Sequence, residues 1–102
     1  MSKYHNKKTL VDNILFDSKR EANRYLVLKS MEQAGEIQDL LLQPSFELRV
    51  EGGRVVGKYI ADFKYRKGAR VIIEDAKGVR TEAYRLKKKI VEAVYGIKIV
   101  EV

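Results

Sequence analysis

The chain reads as an α/β sandwich with a mixed sheet, and three observations predict it. Helix-period segments with start signals follow Ser18 and Thr81. Between them lie three extended stretches separated by turn residues, "FELRV", "VVGKYIADFKYR" and "RVIIED". A final extended run, "IKIVEV", follows the second helix. The expected order is helix, three antiparallel strands, helix, strand. The second helix then serves as the crossover that sets the last strand parallel to the third, in the usual right-handed sense.

Residues 1–10 ("MSKYHNKKTL") are polar and basic without a period, and read as a flexible arm ahead of one domain over residues 11–102. "VDNILFDS" has room for a short strand ended by Asp17-Ser18. Ser18 with Glu21 three residues on makes a capping box. Ala22, Tyr25, Leu26 and Leu28 give that helix its apolar stripe, and Gly35 stops it. "LLLQP" is an apolar run closed by the single proline, Pro44. In "FELRV", Phe46, Leu48 and Val50 share one side. Glu51 to Arg54 turns into the second strand, and Lys67-Gly68-Ala69 turns into the third. There Val71, Ile72 and Ile73 in a row predict cover on both faces. Thr81 caps the second helix, whose stripe is Ala83, Leu86, Ile90, Ala93 and Val94, and Gly96 ends it.

With 102 residues, 45% of them hydrophobic, the chain can bury one modest core. It has no cysteine, which excludes disulfides and thiolate zinc sites and suits a reducing cytoplasm. No run approaches a membrane span and the first residues lack a signal-peptide pattern, so a soluble cytoplasmic protein is expected. His5 is the single histidine, which excludes His-based triads and suits a solvated role. The net charge of +7 comes from two blocks: Lys3, Lys7 and Lys8, then Arg80 to Lys89 with Glu82 as its one acid. Two basic blocks on a neutral body point to a polyanionic partner, most simply nucleic acid; the plainer account is a solvated helix face.

The third strand ends oddly, in Glu74 and Asp75, charges that are costly to bury without a partner. A two-residue loop at Gly68-Ala69 sets Asp62 opposite Asp75. A loop at Lys67-Gly68 sets Asp62 opposite Ile73, with Asp75 on the diagonal. Either way Asp62, Asp75 and Lys77 share a sheet face and Glu74 points away as a salt-bridge partner. An odd loop or a bulge would exchange Glu74 for Asp75. Adjacent half-buried carboxylates repel, and a divalent cation relieves that; oxygen ligands suit Mg²⁺. Lys77 stands where it could steady a developing phosphorane charge. The inert alternative is an ion pair of Lys77 with Asp62 or Asp75.

Asp62, with Asp75-Ala76-Lys77 at the next strand's end, resembles the signature of the PD-(D/E)xK nucleases, and the element order matches that superfamily's restriction-endonuclease-like core. From "YHNKKTLVDNILFDSKREANRYLVLKSMEQAGEI" through "IEDAKGVRTEAYRLKKKIVEAVYGIKIVEV", the chain is similar to small phage-encoded Holliday-junction-resolvase-like endonucleases. The resemblance implies metal ligation by Asp62 and Asp75, with the Ala76 carbonyl joining, and a water-orienting or transition-state role for Lys77. It implies a further acid from the first helix, a place Glu21 occupies in rivalry with its capping role. Ala61 stands where the motif often has proline.

The expected activity is Mg²⁺-dependent hydrolysis of DNA phosphodiesters, with Mn²⁺ as a substitute, on branched DNA and by a homodimer. In it water attacks phosphorus while the ions stabilise the attacking and leaving oxygens. Lys7, Lys8, Arg20, Arg80, Arg85, Lys87 and Lys88 are the expected phosphate contacts. Tyr84 and Tyr95 read as packing residues, with base stacking as the alternative for Tyr84. The rival function is a non-catalytic DNA-binding accessory protein of the same fold. An RNA-binding module lacks its motifs here.

Overall fold

In the computed structural model, residues 7–76 and 80–102 are described. The elements run β1 (Thr9–Val11), β2 (Ile14–Phe16), α1 (Lys19–Gln33), β3 (Gln38–Leu42), β4 (Ser45–Arg49), β5 (Val55–Ile60), β6 (Phe63–Lys67), β7 (Arg70–Asp75), α2 (Glu82–Tyr95) and β8 (Ile99–Glu101). The fold is α/β. Its main sheet is mixed, in the order β3-β6-β7-β8, with only the β7–β8 pair parallel. The crossover between those two strands is α2, as the sequence predicts.

Both helices begin at their expected caps. Ser18 Oγ accepts the Glu21 amide N–H at 3.1 Å, and Thr81 Oγ1 accepts that of Tyr84 at 3.1 Å. Gly96 ends α2 with a left-handed φ of 65°. Residues 1–6 of the expected arm, His5 among them, lie outside the described residues. Thr9 and Leu10 belong to β1, which pairs with β2.

The extended stretch from Val55 to Arg66 is not one strand. It breaks at Ala61-Asp62, where its partner chain breaks at Gln43-Pro44. Pro44 has no N–H for the ladder, and Gln43 adopts a φ of 54°, so the two-stranded ribbon bends there. Two hydrogen bonds carry it through the bend, Gln43 N–H to Asp62 O at 2.9 Å and Ala61 N–H to Pro44 O at 3.0 Å. The register is the same on both sides, with Leu42 opposite Phe63 and Ser45 opposite Ile60. Before the bend, β3 and β6 lie in the main sheet. After it, β4 and β5 leave as a separate hairpin, so "FELRV" is not the main sheet's first strand; Gln38–Leu42 takes that place.

Each face of the main sheet carries its own core. On one, α1 brings Ala22, Tyr25 and Leu28 against Phe63, Tyr65 and Phe16. On the other, α2 and the β4–β5 hairpin bring Tyr84, Val91, Leu48 and Tyr59 against Ile73 and Ile99. Each large apolar side chain so buried contributes about 1.5–3 kcal/mol. Several expected core positions fall outside. Val71 is exposed, so cover on both faces of β7 begins only at Ile73. Leu26 is exposed, and α1 turns Glu21 inward in addition to Ala22, Tyr25 and Leu28. On α2 the expected stripe faces out at Ala83, Leu86, Ala93 and Val94, with only Ile90 half-buried; the buried residues are Tyr84 and Val91. Among the described residues no helix is long and apolar enough to cross a membrane.

Candidate active site

The β6–β7 hairpin decides which acids meet. Its loop is Gly68-Ala69, where Gly68 takes a φ of 62° that a side chain would strain. Lys67 then faces Arg70, and Phe63 faces Glu74. One residue beyond, Asp62 and Asp75 lie across from each other and lock the open end of the hairpin. The Asp62 amide N–H donates to Asp75 Oδ1 at 3.0 Å and is shared with Glu74 O at 3.1 Å. The Ala76 N–H donates to Asp62 Oδ2 at 2.7 Å. Backbone donors to a carboxylate are charge-assisted and hold its orientation. The ribbon's bend makes this possible, because it places Asp62 at the mouth of the sheet.

Glu21 comes to the same place from the first turn of α1. Ser18 caps the helix through Glu21's backbone N–H, which leaves the Glu21 carboxylate to approach Asp62. Glu21 is 5% exposed, and its buried Oε2 has no hydrogen-bond partner among the described residues. Burial, then the Asp62 carboxylate within proton-sharing reach, and more weakly Asp17, push its pKa up to about 8; the Asp17 backbone amide offsets this in part. With both ionised, two carboxylates would face each other with no donor between them. Such a gap suits a proton or a cation.

Glu74 is buried at 1% exposure on the opposite face, and it is fully served there. Arg24 of α1 grips it with both Nε and Nη2, at 2.8 and 2.7 Å, and the Tyr65 hydroxyl donates to the same carboxylate. Burial first, then the Glu74 hydrogen bond, push the Tyr65 pKa up to about 12. The two acids at the end of β7 therefore part by function. Glu74 is structural, the ion pair that the sequence predicts, whereas Asp75 joins Asp62.

Of the other expected residues, Ala76 is at the site, and Lys77 lies outside the described residues. Three cations border the site. Arg20 reaches the Val102 carbonyl at 3.5 Å, and the Val102 N–H donates to Asp75 O at 2.9 Å. Arg80 and Lys88 both pair with Glu101. Arg85 and Lys87 are exposed on α2, and Lys8 pairs with Asp17 at 3.6 Å. Lys7 is exposed ahead of β1. Two residues were missed as site residues. Glu101 sits opposite Asp75 in the parallel β7–β8 ladder, and the Tyr84 hydroxyl donates to it at 2.8 Å. Tyr84 is buried, which removes base stacking as its role. Tyr95 packs edge-on against Phe46 at 5.4 Å, as a packing residue should. The signal for Glu101 was its parity with Asp75, legible only once the β8 register is known.

Among the described residues no three His, Cys, Asp or Glu side chains are grouped as a ready-made metal cage. Mg²⁺ does not ask for one: one or two carboxylates suffice, with water and phosphate oxygens completing its shell. The Glu21 carboxyl beside Asp62, with its Oε2 unpartnered among the described residues, fits that mode, and the all-oxygen donor set suits a hard cation.

One family model, described as "Protein of unknown function (DUF1064)", matches residues 1–100. No curated protein and no solved structure matches the chain.

Proposed function

We propose, for a chain that belongs to the DUF1064 family, a Mg²⁺-dependent DNA endonuclease with a restriction-endonuclease-like core, acting on branched DNA such as a four-way junction. One observation carries the reading: the buried Glu21 carboxyl, its Oε2 without a hydrogen-bond partner among the described residues, comes against Asp62 beside Asp75, at a sheet mouth bordered by Arg20, Arg80 and Lys88. Glu74, by contrast, has its oxygens served by Arg24 and Tyr65.

Glu21 and Asp62 would hold the cation, and the nuclease resemblance would add Asp75 and the Ala76 carbonyl. Bound there, it would supply charge stabilisation to the attacking and leaving oxygens of the phosphodiester. The chain's own residues do the rest. The backbone N–H groups of Asp62 and Ala76 fix the carboxylates of Asp75 and Asp62. Glu21 can hold or release a proton near neutral pH, since its pKa is pushed up to about 8. The bordering cations draw the phosphate backbone in without reading its sequence. Lys77, which follows Ala76, would steady the charge that develops at phosphorus.

The test is cleavage of a synthetic four-way junction, flap, duplex and single strand, each with Mg²⁺ and with EDTA. Asp62→Asn and Asp75→Asn should each abolish cleavage and leave junction binding equal or tighter, because a phosphate-repelling charge is gone. Wild-type cleavage by either variant would end the assignment. DNA binding with no cleavage by the wild type under any metal would favour the non-catalytic accessory protein instead.

A further inference from the structure

Glu101 is held unusually well for an acid near a phosphate-binding surface. Its Oε1 accepts from Arg80 Nε at 2.9 Å. Its Oε2 accepts from the Tyr84 hydroxyl at 2.8 Å and lies 3.8 Å from Lys88 Nζ. The donors come from three places, the α2 approach, its first turn and its second, and converge on one carboxylate of β8. The Tyr84 hydrogen bond first, then Arg80 and Lys88, hold that carboxyl below the usual range, against the effect of burial. The carboxylate is thus an anion in a built anion site. Its ladder partner is Asp75.

The chemistry of the three donors is not particular to a carboxylate. A guanidinium, an ammonium and a phenol serve a phosphodiester's two free oxygens as well as a carboxylate's two. Tyr84 is buried and fixed, whereas Arg80 is half-exposed and Lys88 partly so, which leaves both cations able to turn toward solvent. A DNA phosphate arriving at Asp75 meets Glu101 as a competing negative charge on the very cations it needs.

We propose that Glu101 is an internal stand-in for a DNA phosphate, occupying Arg80 and Lys88 until a backbone phosphate displaces it from them. The proposal rests on the nuclease reading for the identity of the ligand, and it deepens that reading by naming where the phosphate beside the site is held. In the free protein Glu101 keeps the two cations aligned and lowers affinity for stray anions. On DNA it yields them.

The experiment is binding of a labelled four-way junction and of a duplex, in EDTA, across a salt series, with Glu101→Gln, Glu82→Gln and the wild type. Glu82 lies in the same first turn of α2 and controls for the loss of one negative charge. Glu101→Gln should bind about tenfold tighter at low salt, with a salt slope steeper by about 1–2, since each cation given to a phosphate adds about 0.9. Glu82→Gln should leave the slope unchanged. Adding Arg80→Ala and Lys88→Ala to Glu101→Gln should remove the gain. A Glu101→Gln protein that folds by circular dichroism, yet matches the wild type or only the Glu82→Gln control, overturns the proposal. Cleavage assays separate the two readings. Cleavage with an unaltered Glu101→Gln slope sinks this proposal alone, a steeper slope without any cleavage sinks the nuclease alone, and no DNA binding sinks both.

Discussion

Replacing Glu21 by Gln should flatten the pH dependence of stability. In the fold this carboxyl titrates at about 8 instead of its ordinary 4.5. Between those values the folded chain keeps a proton that the unfolded chain has lost, so stability falls as pH rises. The contribution is fully present below the unfolded value and is gone above the folded one. Integrated from about pH 5 to about pH 8, the loss comes to about 3 kcal/mol. For a domain of this size that is a fall in Tm of roughly 12–24 °C. Gln keeps the shape and the backbone N–H to Ser18, but cannot ionise, so thermal melts of Glu21→Gln should show that fall missing. The comparison is made in EDTA, and the difference between the two proteins is the readout, because other groups titrate alike in both. Asp62→Asn should reduce the effect in part, since the hydrogen bond with Asp62 and then its charge are the next causes after burial. Parallel melting curves for the wild type and Glu21→Gln across the range would refute the arrangement: Glu21 would then be an ordinary surface acid.

Arg24→Met should cost about 3–5 kcal/mol, because it leaves the buried Glu74 carboxylate without its cation. Glu74→Gln in the same chain should recover much of that in denaturant titrations, and a cost below about 1 kcal/mol for Arg24→Met would contradict a buried pair. The junction reading also predicts a two-fold homodimer, since one chain offers one site and symmetric resolution takes two opposed cuts. Sedimentation should give twice the chain mass, and a supercoiled cruciform plasmid should go directly to linear product. A monomer that accumulates nicked circles would remove the junction role and leave the cleavage chemistry standing.

What the sequence made legible was local. Gly68 narrowed the β6–β7 turn to two two-residue loops, both of which put Asp62 and Asp75 on one face, and the structure takes Gly68-Ala69. Ser18, Thr81 and Gly96 fixed helix ends through caps that involve only near neighbours. The break in the long ribbon was harder, since nothing in "VVGKYIADFKYR" itself interrupts a strand. The cause lies across the ladder, at Gln43 and Pro44, and it becomes visible only when the partner is known.

The inward face of α2 shows why the rest could not be read from apolar spacing. Tyr84, Lys88, Val91 and Tyr95 recur at helical intervals and form the side that meets the hairpin and the sheet. A search for hydrophobic periodicity rejects that stripe because it contains a lysine, and selects Ala83, Leu86, Ala93 and Val94, which the fold leaves exposed. Lys88 is admissible on the inner side because its ammonium meets Glu101, a residue of another element. The same holds for Glu21 on α1, which turns inward toward Asp62, and for Arg24, which turns inward to Glu74. In each case a charged side chain is brought inward by a partner of distant sequence. The burial errors on the two helices and the chemistry of the site thus have a common origin: where a helix faces the mouth of this sheet, it does so with charge.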